Sequence, residues 1–148
     1  DKGEVPEGEY IIPLGVADIK RKGTDVTVVS FGKIIKEAYK AAEILEKEGI
    51  SIEIIDLRTI RPLDIDAIIA SVKKTNRLVI LEEAWPYGNI STEITYQIQE
   101  KAFNYLDAPI KRINTADTPA PYSPVLLAEW LPDHTDVIKE VKEVLYAK

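Results

Sequence analysis

Short apolar runs alternate with amphipathic stretches along nearly the whole chain. Val26–Ser30 (VTVVS), residues 52–57 (IEIIDL) and Leu78–Leu81 (LVIL) are unbroken enough to be strands buried on both faces. Between them, residues 33–48 place Ile34, Ile35, Ala38, Ala41, Ala42 and Leu45 on one stripe, and Gly49 is a natural stop. Asp64 predicts the cap of a second helix, whose Ile65, Ile68, Ile69 and Val72 follow helical spacing. A WPYGN turn leads to a third helix carrying Ile94, Ile98, Ala102 and Leu106. Residues 110–114 read as a last strand, and 117–124 (DTPAPYSP) as largely irregular. Asp133 or Thr135 then caps a terminal helix with Val137, Ile138, Val141 and Leu145 turned inward.

The beginning differs in character. Residues 1–8 (DKGEVPEG) are polar and read as a linker leading into one domain over 9–148. Residues 10–20 (YIIPLGVADIK) predict a strand, which Pro13 assigns to a sheet edge because proline cannot donate to a ladder. Strands alternating with helices imply parallel βαβ units with helices on both faces of a sheet.

Composition narrows the function. The chain has 148 residues, of which 45% are hydrophobic, enough for one domain with a real core. No apolar run approaches the ~20 residues that cross a bilayer, and no charged-then-apolar leader is visible. A net charge of −6 argues against a nucleic-acid partner, and the lack of cysteine removes disulfides, thiol nucleophiles and thiolate metal sites. With no methionine and an aspartate first, the chain reads as a processed or excised piece.

Candidate chemistry is sparse. The lone histidine, His134, stands at a helix start without a nucleophile beside it. Glu82 and Glu83 follow a buried strand, where open sheets collect ligands, but adjacent residues on extended chain point to opposite sides. The bland reading is one in a salt bridge and one solvated. The Ser30-Phe31-Gly32-Lys33 turn offers N–H groups to an anion but lacks a dinucleotide fingerprint. For Arg58, flanking a turn with Arg61, pairing with a carboxylate is the expectation.

The specific signal is motif-level. Residues 56–86 (DLRTIRPLDIDAIIASVKKTNRLVILEEAWP), 102–122 (AFNYLDAPIKRINTADTPAPY), Trp130-Leu131-Pro132 and the closing VIKEVKEVLY resemble the β-subunits of thiamine-diphosphate-dependent 2-oxoacid dehydrogenases, the pyruvate dehydrogenase E1 family above all. Residues 12–32 (IPLGVADIKRKGTDVTVVSFG) resemble the family's first strand and turn.

The resemblance implies a transketolase C-terminal fold: a three-layer α/β/α sandwich on a five-stranded, mostly parallel sheet whose first strand is antiparallel. It implies that thiamine diphosphate and magnesium belong to the full E1, outside this domain, which then holds no catalytic, cofactor or metal site of its own. It implies partners: the E1 α-subunit and a second β-subunit in an α2β2 assembly, and the basic subunit-binding domain of the E2 acyltransferase. Carried over, the docking acid of the L-[DE]-A-P motif is Asp107, and the chain-end carboxylate lies near Tyr146 and Lys148. The compartment implied is the bacterial cytoplasm, or a mitochondrion or plastid.

Trp85, Tyr87, Tyr122 and Trp130 fall in turns and are interface candidates, at least two of them expected to be exposed. Gly88-Asn89-Ile90-Ser91 departs from a family pattern richer in glycine, though Asn and Ser both cap helices well. Two alternatives remain: an anion-binding α/β domain using the Gly32 turn, and the C-terminal domain of another transketolase-type enzyme.

Overall fold

The computed structural model describes residue 4 and residues 7–146. Five strands form one sheet: β1 (Asp18–Arg21), β2 (Val26–Ser30), β3 (Ile52–Asp56), β4 (Leu78–Leu81) and β5 (Lys111–Ile113). Their spatial order is β1-β3-β2-β4-β5, with β1 antiparallel to β3 and all other pairs parallel. Helices α1 (Ile35–Lys47) and α5 (His134–Val144) cover one face, and α2 (Ile65–Thr75) and α3 (Ile90–Ala102) the other. A short α4 (Pro124–Trp130) lies between β5 and α5. This is the expected α/β/α sandwich with an antiparallel first strand. No described helix is long and apolar enough to cross a membrane.

The period of two along each strand divides the core. Val26, Val28, Ile52, Ile54, Val79 and Leu81 turn to α1 and α5, whereas Val29, Ile55, Leu78 and Ile80 turn to α2 and α3. Central strand β2 is flanked on both sides, with Val28 paired to Ile54 and Val79, so every one of its residues is buried.

Two buried polar side chains of this core, Thr27 and Glu53, find partners on α2. Thr27 reaches the hydroxyls of Ser71 (2.6 Å) and Thr75 (2.7 Å) on α2. Glu53, on β3, is 1% exposed and accepts from Ser71 Oγ at 2.5 Å, from the Gly23 amide at 3.3 Å and from Lys74. Burial opposes ionisation of Glu53, but Lys74, Ser71 and the Gly23 amide outweigh it and hold its carboxyl below the usual range. Gly23 is required there for space: a Cβ would lie 2.2 Å from the Ile52 carbonyl carbon.

Three expectations need correction. The predicted strand over residues 10–20 shrinks to Asp18–Arg21, and residues 10–16 form no strand. Pro13 has no N–H to pair, and the Gly15 amide bonds to Thr59 Oγ1 (2.9 Å), so this segment follows the β3–α2 loop instead of β3. Residues 117–124 are irregular as far as Ser123, but Pro124 is the first residue of α4, where its missing N–H costs nothing. The third helix ends at Ala102 and tightens into a 3-10 turn over Phe103–Tyr105, leaving Leu106 extended. The capping expectations hold: Asp64 accepts from the Ala67 amide, and Asp133 forms a capping box with Asp136.

Candidate docking site

The sequence-derived site residues separate to the two ends of the sheet. Asp107 precedes β5 and Tyr146 follows α5, at the amino ends of the parallel strands. Trp85, Tyr87, Tyr122 and Trp130 belong to loops or the short helix beyond the carboxyl ends. Lys148 lies outside the described residues.

At the amino end, α2 stops at Asn76, which adopts the left-handed conformation (φ 60°) that terminates helices. The Asn76 side chain donates to the Tyr105 carbonyl (2.8 Å), and the Asn76 carbonyl accepts from the Asp107 amide (2.9 Å). The Tyr146 hydroxyl donates to the Asp107 carbonyl at 3.4 Å, so α5's end also reaches this turn. The Asp107 backbone is thus anchored, while its side chain is 58% exposed. Its carboxylate lies 3.6 Å from Arg77 Nη2 and accepts no hydrogen bond among the described residues. Arg77 itself donates from Nε to the Val144 carbonyl (3.1 Å) and from Nη1 to the Thr75 carbonyl (3.4 Å).

At the carboxyl end, the indole N–H groups of Trp85 and Trp130 both donate to the Thr118 carbonyl, at 2.9 and 2.8 Å. Trp130 is half-buried by this arrangement, whereas Trp85, Tyr87 and Tyr122 are exposed, the last completely. Asn89 caps α3 by accepting from the Thr92 amide (3.1 Å), and its side chain donates to the Trp85 carbonyl. The departure from the glycine-rich pattern therefore builds a capped helix start. Arg112 Nη1 ties the same loop to β5 through the Pro86 carbonyl and Thr92 Oγ1, both 3.1 Å away.

Glu82 and Glu83 do point apart: Glu82 is fully buried and Glu83 exposed. The salt bridge expected of one of them is replaced by neutral donors. Glu82 Oε1 accepts from Asn114 Nδ2 (2.9 Å) and the Ser91 amide (3.3 Å), while Oε2 has no partner among the described residues. His134 is tied to α1, with its amide and Nδ1 at 3.2 and 3.3 Å from Glu37 Oε2. Arg58 pairs with Asp18 (2.6 Å), as expected of it. Among the described residues, no group of three or more histidines and carboxylates is placed to hold a metal ion.

Arg77 and Asn76 were missed by sequence reasoning. An asparagine after a lysine-rich helix end is a legible stop signal, but the reach of Arg77 to Val144 joins positions far apart in the chain.

Residues 15–137 match the transketolase C-terminal domain family. The pyruvate dehydrogenase E1 component subunit beta of Bacillus subtilis (strain 168) is 46% identical over 142 residues, covering 96% of this chain and 43% of that protein. The acetoin:2,6-dichlorophenolindophenol oxidoreductase subunit beta of the same strain is 49% identical, covering 97% and 42%. The chain thus spans less than half the length of these relatives. Among solved structures, a split gene transketolase described as an inactive beta4 tetramer superposes with a TM-score of 0.81 at 25% identity, covering 99% of this chain and 46% of that one. The chain belongs to the transketolase C-terminal domain family.

Proposed function

We propose that this chain is the C-terminal domain of the β-subunit of a thiamine-diphosphate-dependent dehydrogenase whose substrate is pyruvate, and that it serves assembly and docking. In this reading thiamine diphosphate and magnesium are held by other parts of the enzyme. The domain contributes surface to an α2β2 assembly and receives the basic subunit-binding domain of the E2 acyltransferase. The observation that carries the docking role is Asp107: its backbone is anchored from two directions while its carboxylate is largely exposed and accepts no hydrogen bond among the described residues. With the backbone already fixed, only the side-chain rotamer of Asp107 is left to be ordered when a cation arrives. Similarity to the pyruvate dehydrogenase β-subunit supports the assignment of the whole enzyme.

A second reading, acetoin as the substrate, is favoured by the comparable identity to the acetoin oxidoreductase subunit. Assay of the complete enzyme with pyruvate and with acetoin separates the two.

The docking role is tested with Asp107→Asn in the complete β-subunit assembled with its α-subunit, titrated with the E2 subunit-binding domain by calorimetry. Truncating one partner of a desolvated charge pair costs ~2–5 kcal/mol, so affinity falls roughly thirtyfold or more. An unchanged affinity with the fold intact leaves Asp107 as a turn residue.

A further inference from the structure

The Arg77 guanidinium spans three parts of the chain. Nε is bonded to the last carbonyl of α5, Val144, at 3.1 Å; Nη1 to the Thr75 carbonyl closing α2, at 3.4 Å; and Nη2 lies 3.6 Å from the Asp107 carboxylate. Its side chain is 24% exposed against 58% for Asp107, so the arginine lies beneath the acid and the acid faces outward. A separation of 3.6 Å is attraction without a hydrogen bond, which leaves the carboxylate lone pairs to an incoming donor. The planar fork makes this possible, since one rigid group donates to two carbonyls and still faces the acid with its third nitrogen, where an ammonium would be a single point.

We infer that Arg77 is a positioning residue for docking: it holds Asp107 at a fixed place relative to the end of α5, so that both are presented together to a basic partner. This rests on the docking role proposed above. Arg77 has two opposing influences on that role. As a cation it weakens the field that draws a basic partner in, which bears on association. As a brace it keeps the acid in the geometry the bound state needs, which bears on dissociation. The second governs affinity here, because Arg77 is turned inward and Asp107 outward.

The test uses the complete β-subunit with its α-subunit and measures association and dissociation of the E2 subunit-binding domain by stopped flow. Arg77→Lys keeps the charge and loses the fork; Arg77→Gln loses both. The expected result is dissociation faster by about tenfold in each, with association unchanged in Arg77→Lys and no slower in Arg77→Gln. Because Arg77 acts through Asp107, adding Arg77→Lys to Asp107→Asn changes dissociation little further. Circular dichroism and thermal unfolding verify the fold, and Arg77→Lys alone carries the test if Arg77→Gln does not fold. Wild-type dissociation in both Arg77 variants, with Asp107→Asn weakened, overturns the inference and leaves the docking reading standing. Tighter binding in Arg77→Gln with wild-type behaviour in Arg77→Lys also overturns it, since Arg77 would then only screen the acid. Unchanged binding in Asp107→Asn overturns the docking reading, and this inference with it.

Discussion

The two ends of the sheet are stabilised by different chemistry. At the amino end, charge is placed against charge: Glu53 with Lys74, Arg77 against Asp107, and Lys111 between Glu140 and Glu143. At the carboxyl end Asp18 and Arg58 also form an ion pair, but the loops beyond β4 and β5 are held by indole N–H groups and the Arg112 guanidinium on backbone carbonyls, and by a helix cap. Each end also buries one carboxylate, and these two differ in one respect. Both oxygens of Glu53 are occupied by donors, whereas Glu82 uses only one. The lesson is that burial alone does not say whether a carboxylate needs its charge. The number of donors aimed at it does.

That difference can be broken with paired substitutions. Glutamine has one acceptor oxygen, so it can serve the donors of Glu82 but not those of Glu53. Glu53→Gln is expected to destabilise by about 2–3 kcal/mol, the cost of leaving buried donors unsatisfied. Glu82→Gln should cost under about 1 kcal/mol, and urea unfolding of the two variants measures the gap. Equal losses would mean that the unpartnered oxygen of Glu82 matters as much as the occupied ones of Glu53.

Glu53 also confers a pH dependence. The folded-state pKa of Glu53 is depressed, so its contribution is present above the ordinary glutamate value and is lost as pH falls through the folded value. Acid unfolding of the wild-type chain should therefore show a loss of stability that Glu53→Gln removes.

Smaller effects sharpen the carboxyl end. Asn89→Ala deletes the α3 cap and the tie to the Trp85 carbonyl, and should cost about 1 kcal/mol in the same unfolding assay. Trp85→Phe keeps most of the ring and removes one of two donors to Thr118, so a loss of about 0.5–1 kcal/mol is expected. A larger loss would show that the indole ring, rather than its N–H, holds the loop.

Much of this fold was legible in the chain because the physics was local. Runs such as VTVVS and LVIL, the stripe on α1, and the caps Asp64 and Asp133 each carry their signal within a few residues. Residues 10–16 were misread because apolar content alone suggests a strand, while the decisive bond runs from Gly15 to Thr59. The helix from Pro124 was hidden by the prolines around it, although proline is at home in a first turn. Asp107 was marked by motif resemblance, and nothing about its spacing distinguishes it from any turn acid. Arg77 could not be found that way, because its role exists only once α2 and α5 end beside each other.

The paired indoles on the Thr118 carbonyl have a practical consequence. The chain contains two tryptophans, and both meet that one acceptor at the same end of the sheet. Tryptophan emission is therefore a one-ended reporter. A partner that covers the carboxyl-end loops would alter emission directly, whereas a ligand seated at Asp107 would leave it dark unless the whole domain responded. A silent titration accompanied by calorimetric heat would thus locate a binding event as well as detect it.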